Sequence, residues 1–153
     1  MAVTISRAKK NDADRILKLQ KVAFLAEAKL NDDMFIAPMT ETIDGLTKAI
    51  STHRLLIAKI DNQIVGSVRI RFDDRTAHIG RLFVDPDHQG RGIGRALMIS
   101  AEAEHPECRN FKLITGKKSA DNIRLYEKLG YVITGELMEN DATVLVIMEK
   151  STT

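Results

Sequence analysis

Three glycines at alternate positions, Gly90, Gly92 and Gly94, stand with Arg91 and Arg95 after the run Leu82-Phe83-Val84-Asp85-Pro86-Asp87-His88-Gln89. Strand-forming residues end within this segment and a helical pattern begins. Glycines at a helix start remove the side chains that would keep a ligand away from the free N–H groups of the first turn. Those groups and the helix dipole favour an anion. Arg91 and Arg95 are four residues apart, so they can point to one side and add charge-assisted bonds. The chemistry this favours is binding of phosphate or pyrophosphate at Gly90, Gly92 and Gly94, with Arg91 and Arg95 beside them. A turn that needs only a tight backbone would read the same way. The P-loop pattern is not met, because no Gly-Lys-Ser/Thr follows, and no glycine starts the dinucleotide fingerprint.

Other reactive residues are sparse. Asn122 and Tyr126 lie four apart on one face of a predicted helix. A phenol of ordinary pKa near 10 stays protonated at neutral pH and can donate. By helical pattern alone, Tyr126 reads as an aromatic core residue. His78 falls in a predicted strand, whereas His53, His88 and His105 fall in loops or helix ends and read as surface residues. The four histidines have no metal-ligand spacing, so no metal is expected. Cys108 is the only cysteine. It cannot make an intrachain disulfide or a cysteine-based zinc site, and nothing near it in sequence activates it.

The elements that must position these residues follow from periodicity. Val3–Ile5 reads as a strand. Ile16, Leu19, Ala23, Ala26 and Leu30 form one helical stripe, and a shorter helix is predicted from Thr40 to Ile50. Residues 54–60 and 63–72 read as a hairpin turning at Asp61-Asn62, with Ile64, Gly66, Val68 and Ile70 on one face. Thr76–Val84 continues the meander. A helix over 90–104, a strand at 111–115, a helix capped by Ser119 and ended by Gly130, and strands at 131–134 and 143–148 complete the chain. The expected class is α/β (α+β): a mixed, mostly antiparallel sheet of six to seven strands with about four flanking helices.

Composition narrows the rest. The chain has 153 residues, 44% of them apolar, with 23 basic and 21 acidic side chains for a formal charge of +2. That suits a single domain over 1–153. Near-neutral charge, no Trp and few Tyr argue against a nucleic-acid binder. Apolar runs such as Val144–Met148 are far shorter than the ~20 residues that span a bilayer, so no membrane role is expected. No signal peptide is visible at the start, and the expected location is cytoplasmic.

Gln89-Gly90-Arg91-Gly92-Ile93-Gly94 resembles the acetyl-CoA-binding motif of the GNAT superfamily of N-acetyltransferases, Q/R-x-x-G-x-G/A. Asn122, Tyr126, Gly130 and Tyr131 match a second motif of that family. The two lie in order, and the predicted elements fit the family along essentially the whole chain.

The resemblance implies acetyl-CoA as co-substrate and transfer of its acetyl group to a primary amine of a small molecule or peptide. It places the pyrophosphate on the turn from Gln89 to Arg95. The pantetheine arm runs along the backbone of Leu82, Phe83 and Val84, in a gap where that strand splays from the next. Asn122 helps bind the co-substrate and Tyr126 protonates the leaving sulfur. Some family members carry a base six residues before the position of Val84, which is His78 here. A non-catalytic acyl-CoA sensor is the alternative. The acceptor is expected between the first helices and the sheet. Asn31–Thr47 there holds Asp32, Asp33, Glu41 and Asp44 with no Lys or Arg before Lys48, which suits a cationic acceptor, though a solvated loop would look alike. The basic run containing Arg109, Lys112, Lys117 and Lys118 reads as a solvated turn or a site for outer phosphates. A homodimer through the last strands is permitted by the apolar Val144–Met148.

Overall fold

The computed structural model describes residues 2–152. Seven strands form one sheet: β1 (Thr4–Arg7), β2 (Arg54–Ile60), β3 (Gln63–Asp73), β4 (Thr76–Val84), β5 (Asn110–Gly116), β6 (Val132–Met138) and β7 (Val144–Ser151). The spatial order is β1-β2-β3-β4-β5-β7-β6. Every pair is antiparallel except β4 with β5. Five helices cover the faces: α1 (Ala13–Leu30), α2 (Ala37–Thr40), α3 (Ile43–Thr52), α4 (Ile93–Ala103) and α5 (Ala120–Lys128). The four-residue α2 is the one beyond the expected four; Pro38 in its first turn presets a helical φ.

Two cores sandwich the sheet. Under α4, Ile93, Leu97, Met98 and Ala101 pack on Val68, Ile70, Ala77, Ile79, Phe111, Leu113, Val146 and Met148. Under α1 and α3, Ala13, Ile16, Leu46 and Ala49 pack on Leu55, Ile57, Ile64 and Phe83. The expected common face of Ile64 with Val68 and Ile70 is therefore broken. The register shifts between Ala58 and Lys59, and this bulge sends Ile64 to the α1 side. Gly66 sits where a Cβ would lie 2.8 Å from the Phe83 carbonyl, so only glycine lets β3 and β4 meet there.

The α1 stripe also differs from expectation. Gln20 and Asn31 are buried, whereas Ala26 and Leu30 are exposed. The inward face runs through Ile16, Gln20, Phe24, Glu27 and Asn31, because beyond its first turns α1 lies over a cavity of mixed lining. Ser119 occupies the N-cap of α5, yet its hydroxyl accepts no bond from the helix; Gly130 ends that helix with φ +101°. β7 is paired on both sides, so Val144–Met148 lies inside the sheet and β6 is the free edge. Among the described residues no helix is long and apolar enough to cross a membrane.

Candidate active site

A single extra residue in β4 shapes the centre of the molecule. Ser67 pairs with Phe83 and Arg69 with Gly80, so two steps along β3 face three along β4. Arg81 takes up the surplus with φ +51°. A bulge of this kind bends the strand that carries it. The β4–β5 ladder runs from Thr76↔Asn110 to Ile79↔Leu113 and stops there. Beyond it, β5 stays on β7 through Gly116, and β4 stays on β3 through Val84. Gly80–Val84 and Ile114–Gly116 thus face a gap with one backbone edge each unpaired, an arrangement that a ligand bearing amides can complete.

The glycine turn stands at the end of that gap. Gly90 and Gly92 both have φ +78°, and a Cβ on either would meet nothing within 4 Å. Their absent side chains serve the left-handed backbone and leave open space above it. Gly94 differs, since its Cβ would touch Leu125 and Val84 at 3.5 and 3.7 Å in ordinary packing. Among the described residues, no N–H from Gln89 to Arg95 donates to a protein acceptor. These donors, with exposed Arg91 and Arg95 in no ion pair, fit an anion. Ile93 contributes its N–H only, because its side chain is buried in the core. Phe83 is likewise buried, edge-on to Phe24 at 6.1 Å, so only its backbone faces the gap.

The gap opens into a cavity of about 460 Å³ between the sheet and α1–α2. Leu82, Asn122, Tyr126 and His78 all line it, which brings the sequence-predicted chemistry to one place. Tyr126 is buried and packs edge-on against Tyr131 at 6.1 Å. Burial, then the Glu27 charge, pushes its phenol well above the ordinary value, so the proton stays on oxygen. Tyr131 is anchored elsewhere: its hydroxyl donates to Glu102 at 2.8 Å, and Lys150 binds the same carboxylate. His78 pairs across the sheet with Arg71 on one side and Lys112 on the other. Burial, then Arg71, outweighs the attraction of Asp73 and holds its imidazole below the usual 6.5.

Three further residues enter the site that periodicity did not pick out. Glu27 accepts from Asn122 at 3.1 Å and reaches over Gly116, whose Cβ would lie 3.3 Å from Oε2. The signal was available as polar Gln20, Glu27 and Asn31 recurring on one helical face among apolar neighbours. Arg81 enters because the bulge turns it. His53, expected on the surface, caps α3 and lines the cavity, because that helix runs directly into β2. Cys108 is buried, and burial pushes its thiol up, which leaves it unreactive. Lys117 is engaged by Glu136 at 2.9 Å, while Lys112 of the same basic run lines the cavity.

The acids of the 31–47 loop do not form a free cation site. Glu41 receives Arg69 through two bonds of 2.9 and 2.7 Å, Arg81 at 2.9 Å and Gln20 at 2.9 Å. It therefore does not cap α3, which is capped instead by the Thr42 hydroxyl. Asp33 accepts from Asn140, Thr143 and the Phe35 N–H, and these bonds hold its carboxyl below the usual carboxylate range. Asp32 and Asp44 are exposed. Among the described residues no group of His, Cys, Asp and Glu could hold a metal ion.

An anion-receiving turn, a splayed strand pair and a phenol-lined cavity in one line define a site for an extended ligand with phosphates at one end and reacting atoms at the other. Residues 24–152 match the family model of the GNAT acetyltransferase domain, and the chain belongs to that family. It is an acetyl-CoA-dependent N-acyltransferase by that membership. The L-amino acid N-acyltransferase MnaT of Escherichia coli is 23% identical over 142 residues, covering 88% of this chain and 83% of that enzyme. The spermine/spermidine N(1)-acetyltransferase of Bacillus subtilis is 32% identical over 71 residues, 44% of this chain and 47% of that one. In fold, the chain is similar to the PaiA N-acetyltransferase of Thermoplasma acidophilum in complex with coenzyme A. The TM-score is 0.81 at 16% identity, over 99% of both chains.

Proposed function

We propose that this chain moves an acetyl group from acetyl-CoA to a primary amine by direct attack of the amine on the thioester. The observation that carries the reading is the run of unpaired β4 edge leading from the free N–H groups of the glycine turn to Tyr126. The turn from Gln89 to Arg95 takes the pyrophosphate. The backbone of Leu82, Phe83 and Val84 holds the pantetheine amides, and Asn122, fixed by Glu27, borders the sulfur end.

The reaction makes an N–C bond, breaks a C–S bond and leaves a thiolate that needs a proton. Tyr126 Oη gives that proton. Its raised pKa keeps the proton on Tyr126 at neutral pH, and desolvation makes the leaving thiolate a stronger base that draws that proton. His78 takes the proton from the incoming amine; held neutral by burial and by Arg71, its imidazole has a free lone pair at neutral pH.

The test pairs binding with turnover. Acetyl-CoA should raise the melting temperature, and thiol release should follow when an amine is added. Tyr126→Phe should lower kcat by about 10²-fold while acetyl-CoA affinity stays within about twofold. Unchanged kcat in that variant removes Tyr126 as the acid, and no thermal shift refutes the whole reading.

A further inference from the structure

We infer that the acceptor is a zwitterion, an amine whose other end is a carboxylate held by Arg71 and Lys112. The inference rests on the N-acetyltransferase reading and names its acceptor class. The geometry starts from the sheet register. Arg71, His78 and Lys112 occupy one cross-strand row on the face that looks toward α1 and α2, and all three line the cavity. Neither Arg71 nor Lys112 makes an ion pair among the described residues. His53 also borders the row from the end of α3. The carboxylates near it are engaged or turned outward. Glu149, in register with Lys112, accepts from the Thr134 hydroxyl at 2.6 Å, and Asp73 is exposed, 3.9 Å from the His78 ring.

These cations lie at the wrong end of β4 to serve the co-substrate's phosphates. At ~3.3 Å per residue, His78 is roughly 20 Å along the strand from Val84, where the glycine turn begins. The acids that a polycation would need are already committed, Asp33 to three donors and Glu41 to two arginines. Glu27, beside Tyr126, already accepts from Asn122, and Glu139 lines another part of the wall. An amino acid whose carboxylate meets Arg71 and Lys112 carries its amine on the adjoining carbon, and so brings it to His78, which stands between those two cations in the row. Phe24, Ile36, Pro38 and Leu145 supply apolar wall for a neutral side chain.

The test uses neutral L-amino acids, each with its amide and its decarboxylated amine, plus spermidine. Thiol release is measured with acetyl-CoA, and binding to the coenzyme A-bound protein is measured by calorimetry. For the best amino acid, kcat/KM should exceed that of its amide by about tenfold or more, the value of a charge-assisted contact. Arg71→Glu and Lys112→Gln should erase that ratio through the acceptor KM while the acetyl-CoA thermal shift persists, which also shows that the variants fold. Amides or spermidine used as well as any amino acid, or a ratio unmoved by both substitutions, would overturn the inference. If no amine is acetylated, the enzymatic reading fails. The calorimetric preference for carboxylate over amide, and its loss in Arg71→Glu, still decides the inference in that case.

Discussion

His78 and Glu41 show how single residues take their properties from neighbours on other elements. Removing water and adding Arg71 both disfavour the imidazolium of His78, so its neutral form persists to lower pH than in a free histidine. The acid limb of kcat/KM should therefore bend below pH 6.5. That inflection should vanish in His78→Gln and move upward in Arg71→Gln, as a pH–rate series would record. For Glu41, burial raises the pKa, but the bonds from Arg69 and Gln20 and the charges of Arg69 and Arg81 outweigh it. A carboxyl depressed on folding stabilises above its unfolded pKa and loses that contribution as pH falls through the folded value. Glu41→Gln leaves two half-buried guanidiniums short of their charge partner, and should cost about 3 kcal/mol at pH 7. In urea melts, the gap to the parent chain should narrow once pH drops below 4.5, the ordinary glutamate value.

At the scale of elements, the strands and most helices were legible because burial writes its period into the chain; Thr76–Val84 was readable to the residue. The glycine turn was legible as a strand-to-helix turn with room for an anion, but a merely tight turn has the same glycines, and it was the family resemblance that favoured the anion. What stayed hidden was long-range. The bulge at Arg81 obeys no local signal, since a left-handed arginine is imposed by the pairing of β3 with β4. The fate of the loop acids depended on Arg69 and Arg81, which lie 28 and 40 positions from Glu41. The turn itself makes a prediction. Gly92→Ala places a methyl in open space over the N–H groups and strains a φ of +78°. It should raise the acetyl-CoA KM sharply while costing the fold only about 1–2 kcal/mol. Gly94→Ala meets ordinary contacts and should leave the melting temperature unchanged or higher.

Over the whole molecule, β1-β2-β3-β4 and β5-β7-β6 are two half-sheets laced directly by only four register pairs. Their inner edges, Gly80–Val84 and Ile114–Gly116, should exchange amide hydrogens faster than the flanking β3 and β7. Acetyl-CoA should slow that exchange on both sides at once, as hydrogen-exchange mass spectrometry would show. Slowing confined to the glycine turn would mean that the arm does not lie in the gap. A ligand at a hundred times its Kd adds about 2.7 kcal/mol to the folded state. The seam thereby makes resistance to proteolysis a readout of the ligand: at saturating acetyl-CoA the halves should part less often, and limited proteolysis of the purified protein should slow in proportion.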